Sequence, residues 1–181
     1  MSQATPAPEV RIAEDEKLTA VMIYTEHGII TGKVVSKQAI RVSTWLKTDM
    51  VPHFIQLLEA QTLLLGSSAG PHNAKFPELF VHIDQIIGIH LVPPSSEPLD
   101  YDPKEPHRKM VPTIGRVGFF QFDGLTRMSE QTDLPAYLGA TKGEFAPLYD
   151  ARMSCPILPA IKGIHADYVL LRQRATLFGL K

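Results

Sequence analysis

The sequence lacks the features that mark secreted, membrane-spanning and strongly basic proteins. It has one cysteine in 181 residues, Cys155, so no disulfide can form within the chain. Its 18 Lys and Arg residues against 19 Asp and Glu give a net charge of -1, which excludes strong whole-chain attraction to nucleic acid. The apolar stretches, such as 83–93, are interrupted and fall short of the roughly 20 residues of a spanning helix. We therefore expect a cytoplasmic protein without a membrane segment or signal peptide.

The composition indicates a globular chain divided into two small lobes. Hydrophobic residues make up 44% and charged residues 20%, as in ordinary folded proteins. Residues 1–16 are acidic and lack apolar periodicity, which predicts a flexible tail. Residues 93–110 are rich in proline and polar residues, which predicts a linker. The remaining segments, 17–92 and 111–181, are here named the first lobe and the second lobe.

The two lobes carry similar residues in the same order. Three blocks correspond: Gly32, Trp45 and Leu46 with Gly124, Tyr137 and Leu138; 54–61 with 145–152; and 81–85 with 169–173. Three matches in one order favour an internal duplication, because repeated units preserve both spacing and order. Coincidence among common apolar spacings is the alternative.

Each lobe reads as β-structure. Residues 79–91 are apolar at nearly every second position, which predicts one strand with one polar face. The β-rich run 21–35 is interrupted at Gly28, which predicts a hairpin, and 56–65 is interpreted as a strand rather than a short helix. Four or five short strands cannot bury both faces of an open sheet. We therefore expect a mostly β protein with two tandem small β-barrels.

The order of these segments resembles the Sm-like and SH3-like small β-barrels. The resemblance is based on 28–34, 57–60 and 80–87, and it covers about 60 residues of the first lobe. The segments 41–46 and 54–60 also resemble an uncharacterised group of bacterial domains with an Arg-x-Ser-x-x-Leu and Phe-Ile-x-Leu pattern. RNA-binding Sm-like proteins carry Asp-x-x-x-Asn and Arg-Gly motifs, but the matching stretches here are 36–40 and 83–85. The resemblance therefore implies a fold and not RNA binding.

No catalytic or metal-binding set emerges from the sequence. Residues 66–70 fit the G-x-S-x-G pattern, but Pro71 follows where a hydrolase begins a helix. His82, Asp84 and His90 share one face of the predicted strand, although 82 and 90 would lie about 26 Å apart on it. Cys155 is interpreted as a buried apolar residue. We expect no enzymatic activity, no cofactor and no bound metal.

Two large apolar residues on the polar face of the same strand predict a protein-interaction surface. Phe80 and Ile86 fall in step with His82 and Asp84, so that face would present apolar side chains to a partner. Exposed sheet edges would add unpaired backbone groups. We therefore expect a non-enzymatic protein-interaction or assembly module that binds other proteins and itself. The alternative is that the linker or the second lobe covers both residues.

A basic surface on the second lobe offers a different function. Its candidate residues are Arg116, Lys162, Arg172 and Arg174, with aromatic residues close to Arg116. Arginines beside aromatic side chains can bind and stack on unpaired bases, so single-stranded RNA or DNA is the alternative ligand. A solvated face with ordinary ion pairs explains the same residues.

Overall fold

The structure is a computed structural model that describes residues 12–48, 51–65, 70–159, 161 and 163–181. The first lobe contains β1 (Glu16–Thr25), β2 (Gly28–Lys37), α1 (Val42–Trp45), β3 (Phe54–Leu64), β4 (His72–His82) and β5 (Gly88–Leu91). The second lobe contains β6 (Arg108–Val117), β7 (Phe120–Ser129), α2 (Leu134–Ala140), β8 (Phe145–Ser154), β9 (Ile164–Arg172) and β10 (Thr176–Leu180), so residues 108–110 of the predicted linker belong to β6 and the connecting segment is 93–107. Neither helix in these residues has the length and apolar character needed to cross a bilayer.

All ten strands belong to one antiparallel sheet. Their order is β10-β6-β7-β8-β9-β5-β1-β2-β3-β4, so β4 and β10 stand at its two ends. The mostly β prediction is confirmed. The two separate barrels are not confirmed, because β5 pairs with β1 on one side and with β9 on the other, and the sheet is not closed.

The two lobes repeat one strand order. In each of them the fifth strand lies beside the first, followed by the second, third and fourth strands. Gly32 and Gly124 occupy the same position, at the bulge where the second strand shifts register against the third. This shared position agrees with the match of the two glycines predicted from the sequence. The helices also begin at matching residues, Val42 and Leu134.

The third strands share an unusual backbone feature. Glu59 in β3 and Asp150 in β8 both adopt positive φ, at 51° and 48°. Each is the sixth residue of its strand and lies opposite the bulge of the preceding strand. This agreement supports the predicted match of 54–61 with 145–152. The range of β3 separately confirms the prediction that 56–65 is mainly strand.

The predicted match of Val81 with Val169 is displaced by two residues. Phe54 pairs with His82 in the first lobe, whereas Phe145 pairs with Arg172 in the second. Counterparts, meaning residues at the same place in the two lobes, are therefore His82 and Arg172, Val81 and Leu171, and Phe80 and Leu170. A shift of two residues preserves the face of a strand, so the apolar pattern could not reveal it.

Residues 79–91 form two strands instead of the single strand predicted. β4 ends at His82, a 3₁₀ turn covers Ile83–Gln85, and β5 begins at Gly88. The His82 side chain accepts a hydrogen bond from the Asp84 N–H and so caps this turn. The chain therefore leaves one end of the sheet and re-enters it at the centre. The hairpin predicted at Gly28 is confirmed, with Thr25 paired to Gly28.

One apolar core lies on each face of the sheet. Consecutive residues of the central strands alternate between the two cores, as Ile23 and Tyr24 do in β1 and as Leu170 and Leu171 do in β9. Strands buried on both faces have continuous apolar runs, which explains why apolar and polar residues do not strictly alternate along these central strands. The predicted acidic tail lies mostly outside the described residues, although Asp15 forms an ion pair with Lys37 at 2.8 Å.

We expect Gly124→Ala to destabilise the protein by about 1–3 kcal/mol, because the new methyl group overpacks the bulge. An added Cβ would lie 2.8 Å from the Tyr149 carbonyl oxygen and 2.9 Å from Leu148 Cγ. Gly139→Ala is the control, since nothing lies within 4 Å of its added Cβ and alanine favours the helix. Urea unfolding measures both variants, and equal stability of the two would contradict the prediction.

Candidate functional site

The lobes meet where β5 pairs with β9. Three residue pairs form this junction, namely Gly88 with Leu171, Ile89 with Leu170, and His90 with Val169. The Arg172 N–H extends the pairing by donating to the Ile87 carbonyl at 2.9 Å. The lobes are therefore joined by backbone hydrogen bonds as well as by side-chain packing.

Two side chains of the second lobe complete the core of the first. Phe145 is 2% exposed and Leu170 is 1% exposed, and both pack in the cluster that contains Ile86 and Ile89. The first lobe is therefore closed on this side by residues from its neighbour.

Arg172 holds the junction together through charge and hydrogen bonds. Its Nε donates to the Ile86 carbonyl at 2.7 Å, its Nη2 donates to the Ile83 carbonyl, and its Nη1 pairs with Glu144. The guanidinium also lies 4.6 Å from the Phe145 ring centroid. The side chain is 1% exposed, so its charge is held by these carbonyls and by Glu144 rather than by bulk water.

The basic surface predicted on the second lobe is not assembled. Arg172 is buried in the junction, so its prediction as a nucleic-acid contact is wrong. Arg174 lies in the 3₁₀ turn Gln173–Ala175 rather than on the strand, and it pairs with Asp84 at 2.7 Å. Arg116 is exposed on β6, and Lys162 lies outside the described residues.

Phe80 and Ile86 do not share an exposed face. Phe80 is 57% exposed on β4, whereas Ile86 is 0% exposed and belongs to the first core. The prediction for Ile86 is wrong because the 3₁₀ turn before it reverses the alternation expected from a continuous strand. Phe80 remains a candidate for protein contact.

A second exposed aromatic residue, not predicted from the sequence, lies at this end of the sheet. Phe54 begins β3 beside the end of β4 and is 54% exposed, and its ring contacts His82 edge-on at 4.9 Å. The sequence feature that could have drawn attention to Phe54 was its alignment with Phe145. Phe76 on β4 is also partly exposed, so three phenylalanines surround this end.

The opposite end of the sheet presents aliphatic residues. Leu177 and Leu180 on β10 are largely exposed. A cavity of about 340 Å³ lies beside this strand, lined by Leu138, Gln173, Thr176, Leu177 and Phe178. Both ends of the sheet therefore combine an edge strand with exposed apolar side chains.

The proline-rich linker is fixed to both lobes. Glu97 accepts hydrogen bonds from the Val42 N–H at 2.7 Å and from the Ser43 N–H at 3.2 Å, at the start of α1. Asp100 accepts from the Tyr149 hydroxyl at 2.7 Å and from the Tyr168 hydroxyl at 3.1 Å. Burial alone would raise the pKa of Asp100, but these bonds and one from Lys47 lower it.

A buried histidine lies at the centre of the sheet. His90 Nδ1 is 2.8 Å from the Leu91 carbonyl, which can only accept, so Nδ1 carries the proton. Its Nε2 is 3.0 Å from the Tyr24 hydroxyl, which donates to it. Burial lowers the pKa of His90, and the bond to Leu91 opposes that shift in part. The neutral imidazole is therefore the form that the fold accommodates.

The residues considered for catalysis or metal binding lie apart in the described structure. They contain no group of three His, Cys, Asp or Glu that could hold a metal, and His82 lies on β4 whereas His90 is in the core. Cys155 is buried, as predicted. Positions 66–69 of the G-x-S-x-G stretch lie outside the described residues. Comparison of the chain with protein-family models, curated proteins and solved structures gives no significant match.

We expect the stability of the protein to fall as the pH drops below about 6.5, the ordinary pKa of histidine. The lowered pKa of folded His90 means that the unfolded chain binds more protons in this range. The contribution of His90 to stability is complete above the pKa that it has in the unfolded chain. This contribution is lost as the pH falls through the lower pKa that it has in the folded protein. His90→Asn should flatten the dependence of unfolding free energy on pH between neutrality and mild acid. His107→Asn is the exposed control, and an unchanged slope for His90→Asn would contradict this account.

We expect Arg172→Met to destabilise the protein by about 3 kcal/mol, because it leaves two carbonyls and Glu144 without their charged donor. Arg174→Met should cost much less, since its ion pair with Asp84 is solvent-exposed. Thermal and urea unfolding compare the two variants. Similar losses for both would show that Arg172 does not hold the junction.

Proposed function

We propose that the protein is a non-enzymatic assembly module that joins protein partners, including copies of itself, through the end strands β4 and β10. The observation that carries this proposal is the pairing of β5 with β9, by which the chain already joins two of its own sheet edges. Among the described strands, β4 pairs only with β3 and β10 pairs only with β6. Each end strand therefore has one edge on which another strand can add.

Exposed apolar side chains at both ends support the same function. Unpaired strand edges are commonly protected by lysine, proline or a bulge against pairing with other chains. β4 carries both Lys75 and Pro77 in its middle, but Phe54, Phe76 and Phe80 are exposed at this end of the sheet, and Leu177 and Leu180 are exposed at the other. Phe54 and Phe80 lie close together on adjacent strands, and an exposed apolar patch of this kind typically marks a contact surface.

The resemblance to Sm-like or SH3-like barrels remains a proposal for each lobe. Its support is the repeated order of five antiparallel strands, with a glycine at the bulge of the second strand in both lobes. Small units of this kind provide edge strands for pairing, which agrees with an assembly role.

The alternative ligand, single-stranded RNA or DNA, has less support. Arg116 is exposed and lies near Phe119 in a surface groove, as base stacking would require. Against this, Arg172 is buried and Arg174 is paired with Asp84, so two of the four predicted contacts are engaged within the protein.

Self-association that requires Phe80 tests the proposed function. We expect sedimentation at micromolar concentration to detect oligomers of the wild-type protein, and Phe80→Lys to weaken them about tenfold or more, since a charged edge opposes strand addition. Leu99→Lys is the control, because Leu99 is exposed in the linker and outside both end strands. A monomeric wild-type protein, or equal effects of the two variants at unchanged melting temperature, would contradict the proposal.

A further inference from the structure

The cavity beside β10 has a filled equivalent in the first lobe. Three of its lining residues, Leu138, Gln173 and Phe178, are the counterparts of Leu46, Ile83 and Ile89. These matches follow from the helix positions, from the two 3₁₀ turns and from the pairing of the fifth strand with the first. The three residues of the first lobe pack in one cluster with Phe145 and Leu170. The cavity between Leu46, Ile89 and Leu170 has a volume of about 10 Å³.

The residues that fill the first lobe also have counterparts, and these are exposed. Phe145 and Leu170 correspond to Phe54 and Phe80, which lie at the far end of the strand order. Buried side chains in the second lobe thus correspond to exposed aromatic side chains in the first. Neither Phe54 nor Phe80 lines the cavity beside β10 in its own chain.

The polar residues of the cavity are already satisfied by the protein. Gln173 Nε2 donates to the Gly143 carbonyl at 2.7 Å, and the Thr176 hydroxyl donates to the Arg172 carbonyl at 2.8 Å. An apolar guest would therefore leave neither of these donors unpaired. Leu138, Leu177 and Phe178 supply the apolar walls.

We propose that this cavity receives Phe54 and Phe80 from a second copy of the chain, whose β4 pairs with β10. This inference rests on the proposed function and names its partner and its geometry. The β5–β9 junction sets the register: Phe178 lies opposite Phe80, Leu177 opposite Val81, and Gly179 opposite Leu79. The contact is heterologous, since each copy uses a different end, so it generates a ring or an open fibre.

Cysteine pairing tests the register. In a Cys155→Ala background, chains with Leu79→Cys are mixed with chains carrying Gly179→Cys and oxidised mildly, so that Phe80 and Phe178 are both retained. Residues directly opposite on antiparallel strands have Cβ atoms about 4.5–5.5 Å apart, close to disulfide reach, and nothing lies within 4 Å of a Cβ added at Gly179. We expect a disulfide-linked dimer in this mixture, at about tenfold higher yield than with Lys181→Cys in place of Gly179→Cys. Equal yields in the two mixtures would overturn the register.

Leu138→Glu tests the cavity itself, because it places a charge on the apolar wall without altering β10. We expect self-association to weaken about tenfold or more, whereas Ala136→Glu, on an exposed position of the same helix, leaves it unchanged. The melting temperature verifies that both variants fold. Association that resists Leu138→Glu overturns the inference. If Phe80→Lys still abolishes association in that case, the proposed function stands and only the cavity is wrong.

Discussion

The pairing of β5 with β9 is the interaction on which the rest of the structure depends. It brings the open side of each lobe against the other, so that Phe145 and Leu170 enter the first core while Tyr24 and Ile87 enter the second. The same pairing buries the Arg172 side chain, whose guanidinium donates to the Ile83 and Ile86 carbonyls at the first 3₁₀ turn. Burial of a charge is costly unless its partners are present, so this arginine stabilises only the joined arrangement of the lobes.

Local chemistry determined which features could be predicted from the sequence. Gly32 and Gly124 could be matched because an added Cβ at the bulge would approach the third strand closely. Ile86 could not be placed correctly, because the apolar alternation continues through a turn that transfers the chain from the sheet end to its centre. A charged residue such as Arg172 usually indicates a solvated surface. Its burial depends on carbonyls 86 to 89 positions away in sequence, which no local pattern contains.

Part of the candidate site could also be predicted, because local sequence features indicate it. Phe80 was found because it interrupts the polar face of a strand, and Phe54 was within reach through its alignment with Phe145. The cavity beside β10 could not be predicted from local sequence. In the first lobe the equivalent space is filled by Phe145 and Leu170 of the second lobe, and among the described residues no further lobe follows the second to fill its cavity. At the end of β4, His82 occupies the place that Arg172 occupies at the internal junction. Imidazole has fewer donors than guanidinium, so a contact between chains would be held less firmly than the contact within the chain.

The segment 93–107 has a further consequence, beyond its contacts with both lobes. By connecting the lobes covalently it turns their encounter into an intramolecular event, with a high effective concentration that does not fall when the protein is diluted. Glu97 and Asp100 then restrict the connection to one geometry, which lowers the entropy lost when the strands pair. In a closed ring of this chain, half of the lobe-to-lobe contacts would consequently form during folding, and in an open fibre slightly more than half would. Only the contacts between chains would respond to the amount of protein present.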